Sequence, residues 1–294
     1  MNKKRLISIL TVAGLLFVLS GCSTSQEPIS LETTFQNMLE SGGFFGAILI
    51  WPLAQTINHL ASSINVFWAI VIVTVTINVI LLALTFKSNM AMQRMQLLQP
   101  EIQKIQNKYE GRTDQNSQMR MSQEMQQLYN KYDVNPIGTL LVTFIQFPIL
   151  IAMYSAINRS TEVKNGTFLG AVLANTPGQA FATLFGKAGD AAVNKPLVLV
   201  IVYILMVALQ LISISVPQWL TKAKLKREAD IHHKRYDPPK QQNFFLTYGM
   251  LVFIGFIMLS WPAALSLYYA IYSGVNVIKT LALDKIAQKQ DVNK

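Results

Sequence analysis

The chain has 294 residues, of which 51% are hydrophobic and only 14% are charged, and its formal net charge is +10. A soluble domain of this length usually carries more charge, so either its core is very large or much of its surface faces lipid. The basic residues lie in a few segments between apolar runs, which the positive-inside rule explains without sequence-specific nucleic-acid binding. The single cysteine excludes an internal disulfide and a cysteine-based zinc site.

The first 22 residues have the pattern of a lipoprotein signal. Lys3, Lys4 and Arg5 precede an apolar run over residues 6–19 that is too short for a comfortable span. Small residues then lead to Cys22, as in a lipobox. We predict that residues 1–21 are a cleaved signal peptide and that Cys22 carries a covalent lipid, with an ordinary signal and a chance cysteine as the alternative.

Residues 22–65 are predicted to be an external N-terminal segment. The stretch 23–43 contains three glutamates and neither lysine nor arginine. Residues 44–60 mix apolar side chains with polar ones, which favours an amphipathic helix in the outer membrane interface. A short span is the alternative for this segment.

Five apolar segments follow that cross, or nearly cross, a hydrocarbon core. They predict an all-α membrane protein with transmembrane helices at 66–86, 134–157, 196–216, 244–259 and 262–283. Lysine and arginine concentrate in the loops 87–133 and 217–243, whereas the loop 158–195 has fewer. The positive-inside rule therefore places the N-terminus outside the cell membrane and both basic loops and the tail 284–294 in the cytoplasm.

The cytoplasmic loop 87–133 carries apolar residues at helical spacing on both sides of a break at residues 110–114. This pattern predicts an antiparallel helical hairpin. Methionine suits variable apolar partners, so the methionines are candidates for client capture: Met92, Met95, Met121 and Met125. The alternative is that the apolar stripe only holds the two helices together.

The fourth apolar segment, 244–259, is the shortest. Its 16 residues would span about 24 Å as a helix, less than a hydrocarbon core of ~30 Å. Either the bilayer is thinned locally, or Ser260 and Trp261 continue the helix.

No acidic or basic residue lies in the central part of any predicted span, which argues against ion-coupled transport and intramembrane hydrolysis. We find no catalytic motif, no phosphate-binding loop and no metal-ligand pattern in the sequence, and we expect no cofactor apart from the lipid. Uncharged polar residues do occur in the spans, and they either join helices or line a wet groove. The groove candidates are Thr74, Asn78, Gln146, Gln210 and Tyr269.

The order of these segments resembles the YidC/Oxa/Alb family of membrane protein insertases. The resemblance rests on the lipobox, MAMQRMQLLQPEIQKIQNKY, QEMQQLYNKYDVNPIG, FIQFPILIAMYSAI and WPAALSLYYAIYSGVNVI. A lipobox on this family is similar to the form from single-membrane bacteria. The resemblance implies five spans around a hydrophilic groove that is open to the cytoplasm and to lipid and closed outside.

The resemblance also implies the partners. These are nascent membrane proteins, handled alone or beside the Sec translocon, and the lipid bilayer; contact with the ribosome is left open. Thr74 and Tyr269 fall at family positions associated with client contact. The family's groove usually has one arginine in the first span, and that position is Asn78 here. The rival hypotheses are a specialised paralogue acting as an assembly factor or scaffold, and a solute or lipid transporter.

Overall fold

The computed structural model describes residues 27–187, 189, 192–231 and 244–292, and this part of the chain is mostly helical. The predicted signal peptide, the predicted lipid site Cys22, and residues 232–243 of the predicted basic loop 217–243 lie outside the described residues.

The N-terminal helical stretch consists of α1 (Phe35–Phe45), a π-helical turn (Gly46–Ile50) and α2 (Trp51–Ser63). Thr34 caps α1 because its hydroxyl accepts the Asn37 amide, and the Asn37 side chain accepts the Thr34 amide in return. Gly43 has φ 61°, a conformation that glycine adopts without steric cost, and it kinks the stretch. Helix therefore begins nine residues before the predicted start at residue 44.

Two long helices contain the first and third predicted spans. Helix α3 (Val66–Leu97) begins at the first residue of the predicted span 66–86, and α9 (Pro196–Ile231) begins at the first residue of the predicted span 196–216. Both continue well beyond the apolar part. At ~1.5 Å per residue they are about 48 and 54 Å long, which exceeds a hydrocarbon core of ~30 Å.

A pair of shorter helices follows α3. These are α4 (Gln99–Lys108) and α5 (Gln115–Lys131), and they pack against each other. Asp114 caps α5 by accepting the backbone amide of Ser117. Gly111 has φ 78° in the turn between the helices, where glycine is favoured.

Helix α6 (Pro136–Arg159) covers most of the second predicted span and contains Pro148 in its interior. The segment predicted only as a loop, 158–195, is partly ordered by secondary structure. It contains α7 (Thr161–Asn165), the antiparallel strands β1 (Thr167–Phe168) and β2 (Ala171–Val172), and α8 (Pro177–Leu184).

The last two helices are α10 (Phe244–Met258) and α11 (Ala263–Val292). Because α10 ends at Met258, the alternative in which Ser260 and Trp261 continue it is wrong. Fifteen residues correspond to about 22 Å of helix. Helix α11 begins one residue after the predicted start of the fifth span and continues into the predicted tail.

Three helical stretches in the described part of the chain are long and apolar enough to cross a membrane by length and composition. They are Phe35–Ser63, Val66–Leu97 and Pro196–Ile231. The last two coincide with predicted spans. The first covers the segment predicted to lie in the interface, so the alternative of a span there is kept.

The chain divides into two compact units. The first comprises the residues up to Ile77, Ile145–Val207 and Gly255–Tyr272; the second comprises Asn78–Phe144, Ala208–Ile254 and the residues from Ser273 onwards. In the first unit the segment before α8 is fixed to the start of α11, because the amides of Ala263 and Ala264 donate to the carbonyls of Asn175 and Leu173.

Gly166 generates the first prediction. A Cβ atom at this position would lie 2.2 Å from Cγ2 of Val66 and 2.8 Å from the Glu162 carbonyl oxygen. Its φ of −77° allows any residue, so the penalty for Gly166→Ala is steric. We expect a loss of about 1–3 kcal/mol in the free energy of unfolding, measured by denaturant titration in detergent.

The matched control is Gly274→Ala, because a Cβ at Gly274 would meet no atom within 4 Å. This helical position should be neutral or slightly stabilised by alanine. Equal stability of the two variants would contradict the close packing at Gly166.

Candidate functional site

Three of the predicted groove residues lie in the first unit. Thr74, on α3, is buried. Gln146, on α6, donates from Nε2 to the hydroxyl of Tyr272 on α11. Tyr269 lies one turn earlier on α11, and its ring centroid is 6.4 Å from that of Tyr272. A fourth polar group, Tyr268, packs edge-on against Tyr269 with centroids 5.2 Å apart.

The other two predicted groove residues, Asn78 and Gln210, lie in the second unit. Asn78, on α3, is buried. Gln210, on α9, accepts a hydrogen bond at Oε1 from the hydroxyl of Ser273 on α11. One turn further along both helices, Asn276 donates from Nδ2 to Oγ of Ser213 at 2.8 Å. Two hydrogen-bonded pairs, Gln210–Ser273 and Ser213–Asn276, therefore join α9 to α11, and we call them the polar rungs.

An ion pair continues this contact between the same two helices. Lys224 Nζ lies 2.6 Å from Oδ1 of Asp284, and both side chains are largely buried. Asp284 also accepts a hydrogen bond from Gln288 at 2.7 Å through its other oxygen. Counted from the Ser213–Asn276 pair, Lys224 lies 11 residues further along α9 and Asp284 lies 8 residues further along α11, which is about three and about two helical turns.

The helix pair α4–α5 has its own apolar core. The buried residues of this core are Leu98, Ile102, Leu128 and Val134. Met95 and Met125, two candidates for client capture, pack against this core. For these two residues the contacts support the alternative, in which the apolar stripe holds the two helices together. Met92 and Met121 are partly exposed. Met119, which was not a candidate, is the most exposed of the three methionines of α5, with 55% of its surface exposed.

Polar contacts join the two helices at two places. Near the turn, Glu124 accepts hydrogen bonds from Lys108 Nζ at 2.5 Å and from the Tyr109 hydroxyl at 2.8 Å. These bonds, that from Lys108 first, lower the pKa of Glu124, and the same contact raises the pKa of Lys108. At the other end, the Tyr132 hydroxyl donates to Glu101 at 2.9 Å. The end of α4 thus contacts the middle of α5, and the start of α4 contacts the residue that follows α5, so the helices run antiparallel.

The first unit also contains a polar cluster that the sequence analysis did not identify. Asn58 and Ser160 are fully buried, Arg159 is 4% exposed and Gln55 is 8% exposed. They lie between the residues before α1, helix α2 and the end of α6. Burial lowers the pKa of Arg159, which the nearby Glu27 opposes. The available signal was the i, i+3 spacing of Gln55 and Asn58, which places both on one face of a helix.

Among the described residues, no group of three or more histidine, cysteine, aspartate or glutamate side chains could hold a metal ion. In each unit, the candidate functional residues are instead uncharged polar side chains on apolar helices.

A model of the family described as 60Kd inner membrane protein matches residues 57–290. The chain belongs to this family. It is 32% identical over 231 residues to the membrane protein insertase YidC 1 of Listeria monocytogenes, covering 74% of this chain and 77% of that protein. It is 29% identical over 285 residues to the membrane protein insertase YidC of Oceanobacillus iheyensis, covering 96% and 97%.

A third relative is more similar over a shorter stretch. The membrane protein insertase YidC 2 of Bacillus anthracis is 38% identical over 169 residues, which cover 57% of this chain and 63% of that protein. The predicted family is confirmed, and the predicted function is the one for which these relatives are named.

The core of the helix pair generates the second prediction. Leu128→Ala removes a side chain that is only 8% exposed and packs against Leu98 and Ile102. We expect local destabilisation of about 2–5 kcal/mol, seen as faster hydrogen exchange of the α4 and α5 amides. Met119→Ala, on the same helix but exposed, is the control and should leave exchange unchanged. Unchanged protection in Leu128→Ala would contradict the packed core.

The rungs between α9 and α11 generate the third prediction. A double-mutant cycle with Ser213→Ala and Asn276→Ala should give a coupling energy of about 0.6 kcal/mol, the usual size for a hydrogen bond between membrane helices. The free energy of unfolding in mixed micelles supplies the four values. Strictly additive effects would show that the two side chains do not interact.

Proposed function

We propose that this chain is a membrane protein insertase and chaperone of the cell membrane, which helps nascent membrane proteins to insert and fold. The observation that carries the proposal is the family match over residues 57–290. The uncharged polar side chains inside long apolar helices support it, because they offer hydrogen bonds to a polar client segment without an intramembrane charge. The chain catalyses no chemical step and consumes no nucleotide itself.

The proposed topology has five spans, based on α3, α6, α9, α10 and α11. The helix pair α4–α5 is the cytoplasmic hairpin, and the N-terminus is outside and carries a lipid on Cys22. The unequal distribution of lysine and arginine among the loops supports this orientation. The stretch Phe35–Ser63 lies in the outer interface, supported by large apolar side chains on its open side: Phe35, Leu39, Phe44 and Ile48.

In the proposed mechanism, the hairpin first receives the client at its methionine-bearing surface, including Met92 and Met121. The client's polar residues then exchange hydrogen bonds with polar side chains within the spans. Gln146 and Gln210 already bond to Tyr272 and Ser273, so a client replaces one hydrogen bond by another of similar free energy. Such an exchange avoids leaving a polar group unpaired in hydrocarbon.

Release of the client into lipid is driven by the apolar part of its own segment. Burial of apolar surface contributes about 25 cal/mol per Å², so a helix-sized segment gains far more from lipid than one exchanged hydrogen bond provides. The Sec translocon is a partner for some clients, and the ribosome is a further candidate partner.

The alternative function is that of a specialised paralogue that assembles or scaffolds a narrow set of membrane partners. The residue that favours it is Asn78, which falls where the resemblance to the family implies the groove arginine. An arginine at the bilayer centre costs about 2.5–3.5 kcal/mol and needs a watered site, whereas asparagine needs much less. Asparagine also cannot attract acidic client segments by charge.

Complementation tests both functions and is the fourth prediction. The resident insertase of a Gram-positive host is depleted while this chain, or its Asn78→Arg variant, is expressed. We expect the wild type to restore growth and the insertion of a small client with an acidic external segment. The variant should insert that client more efficiently, because arginine adds Coulombic attraction.

Membrane-fraction immunoblots control for expression of both forms. Rescue by Asn78→Arg alone would support the specialised paralogue. If neither the wild type nor Asn78→Arg rescues the host although both reach the membrane, the general insertase function is contradicted and the scaffold function is favoured.

A further inference from the structure

The residues before α1 form an extended strap, Glu27–Thr34, that is held almost entirely through its main chain. Arg159 Nε donates to the carbonyl of Glu27 at 2.8 Å, and Asn58 Nδ2 donates to the carbonyl of Ile29 at 2.8 Å. Gln55 Nε2 donates to the carbonyls of Ser30 and Thr33, at 2.7 and 2.8 Å. Backbone carbonyl oxygens therefore accept all four of these side-chain hydrogen bonds, and every amino acid has such an oxygen.

The strap also pairs with the end of α6 in the manner of a β-bridge. The Ile29 amide donates to the Arg159 carbonyl at 2.7 Å, and the Thr161 amide donates to the Ile29 carbonyl at 3.1 Å. Ile29 and Ser160 form a parallel bridge. Addition of an extended segment to an exposed backbone edge is a common mode of peptide recognition.

One side chain of the strap is anchored in the apolar interior. Ile29 is fully buried, whereas its neighbour Leu31 is 41% exposed. A further donor, Trp51 Nε1, reaches the Thr33 carbonyl at 2.7 Å. The recognition elements are thus a row of carbonyl contacts and one pocket for a branched apolar side chain.

The groups that contact the strap are positioned by the rest of the first unit. The Ser160 hydroxyl donates to Oδ1 of Asn58, which leaves the Asn58 amide group directed at the strap. Ser160 also caps α7 by accepting the Val163 amide at 3.1 Å. Gln55 and Asn58 lie on the same face of α2. The surface that receives the strap is therefore built on helices that do not include it.

We propose that this surface is a binding cleft for an extended peptide with one branched apolar residue, and that the chain's own strap fills it. The ligand class follows from the contacts, because main-chain carbonyls accept the hydrogen bonds and Ile29 fills the pocket. A tethered ligand has an effective concentration in the millimolar range, so in the intact chain the strap excludes a free peptide. A chain with an unseated strap binds the same peptide supplied in trans.

Seating of the strap has a mechanical consequence for the N-terminus. Four residues lie between Cys22 and Glu27, and the five residue steps that join them reach at most about 18 Å when fully extended. A lipid on Cys22 would therefore be held close to the end of α6 whenever the cleft is occupied. The peptide-binding property itself does not depend on the lipid or on insertase activity.

The test uses the full-length protein in detergent and a fluorescent peptide corresponding to residues 27–34. Ile29→Asp unseats the strap because a carboxylate replaces a fully buried isoleucine. Leu31→Asp, at the exposed neighbouring position, is the matched control. We expect the peptide to bind Ile29→Asp at least tenfold more tightly than it binds the wild type or Leu31→Asp, measured by fluorescence anisotropy.

Two further measurements assign the binding to the cleft. A peptide carrying aspartate at the position of Ile29 should not bind, and Asn58→Leu added to Ile29→Asp should weaken binding at least tenfold. Hydrogen exchange of the amides at the start of α11, over residues 263–272, shows whether the first unit of Ile29→Asp is folded, because this segment belongs to the same unit as the cleft. A folded Ile29→Asp that does not bind the peptide, or equal binding to all forms, would overturn the proposal.

Hydrogen exchange of the wild type gives an answer even where Ile29→Asp fails to fold. If the strap detaches as a ligand does, the Ile29 amide exchanges at least tenfold faster than the amides in the centre of α2. Exchange of both at a common rate would mean that the strap leaves only when the unit unfolds, and would overturn the proposal.

Discussion

Polar groups inside hydrocarbon must find hydrogen-bond partners within the protein, and this constraint organises both units. In the first unit it pairs Gln146 with Tyr272, and in the second it pairs Gln210 with Ser273 and Asn276 with Ser213. Each pair joins different helices, so the same groups that could receive a client also hold the helices together. A hydrogen bond of this kind contributes only about 0.6 kcal/mol to stability. A client can therefore replace one of its partners at little cost in stability. Weak pairing within the membrane is therefore consistent with both the structural and the functional interpretation.

The parts outside the predicted spans are stabilised by different interactions. The helix pair α4–α5 is held together by a small apolar core and two sets of polar contacts. The N-terminal residues rely instead on buried amides and a guanidinium that bond to backbone carbonyls. Burial of Arg159 is tolerated because its contacts include the Glu27 carbonyl. Order in this region depends on polar contacts that have no hydrophobic periodicity.

Much of the helical framework could be predicted from the sequence. The hydrophobic pattern did not predict the ends of the long helices, helix α1 or the buried polar contacts. The starts of α3 and α9 at Val66 and Pro196 were predicted because an uncharged apolar run begins there. Their ends were not, since polar residues beyond an apolar run remain compatible with helix. Helix α1 was missed because residues 23–43 are polar and its start depends on the Thr34 cap. Gln55 and Asn58 interrupt an apolar run, and the sequence does not reveal their role because their partners, at residues 29–33 and 160, are distant in sequence.

Site-specific photocrosslinking to stalled nascent chains tests the central claim, that polar side chains within the spans receive the clients of an insertase. Benzoylphenylalanine replaces Tyr269 in one form and Phe185, which is 72% exposed in the segment after α8, in the other. The account predicts that position 269 crosslinks several unrelated membrane-protein clients at the stage when their first apolar segment has emerged, and that position 185 does not. Crosslinking of one and the same resident protein at position 269, whichever nascent chain is supplied, would contradict it.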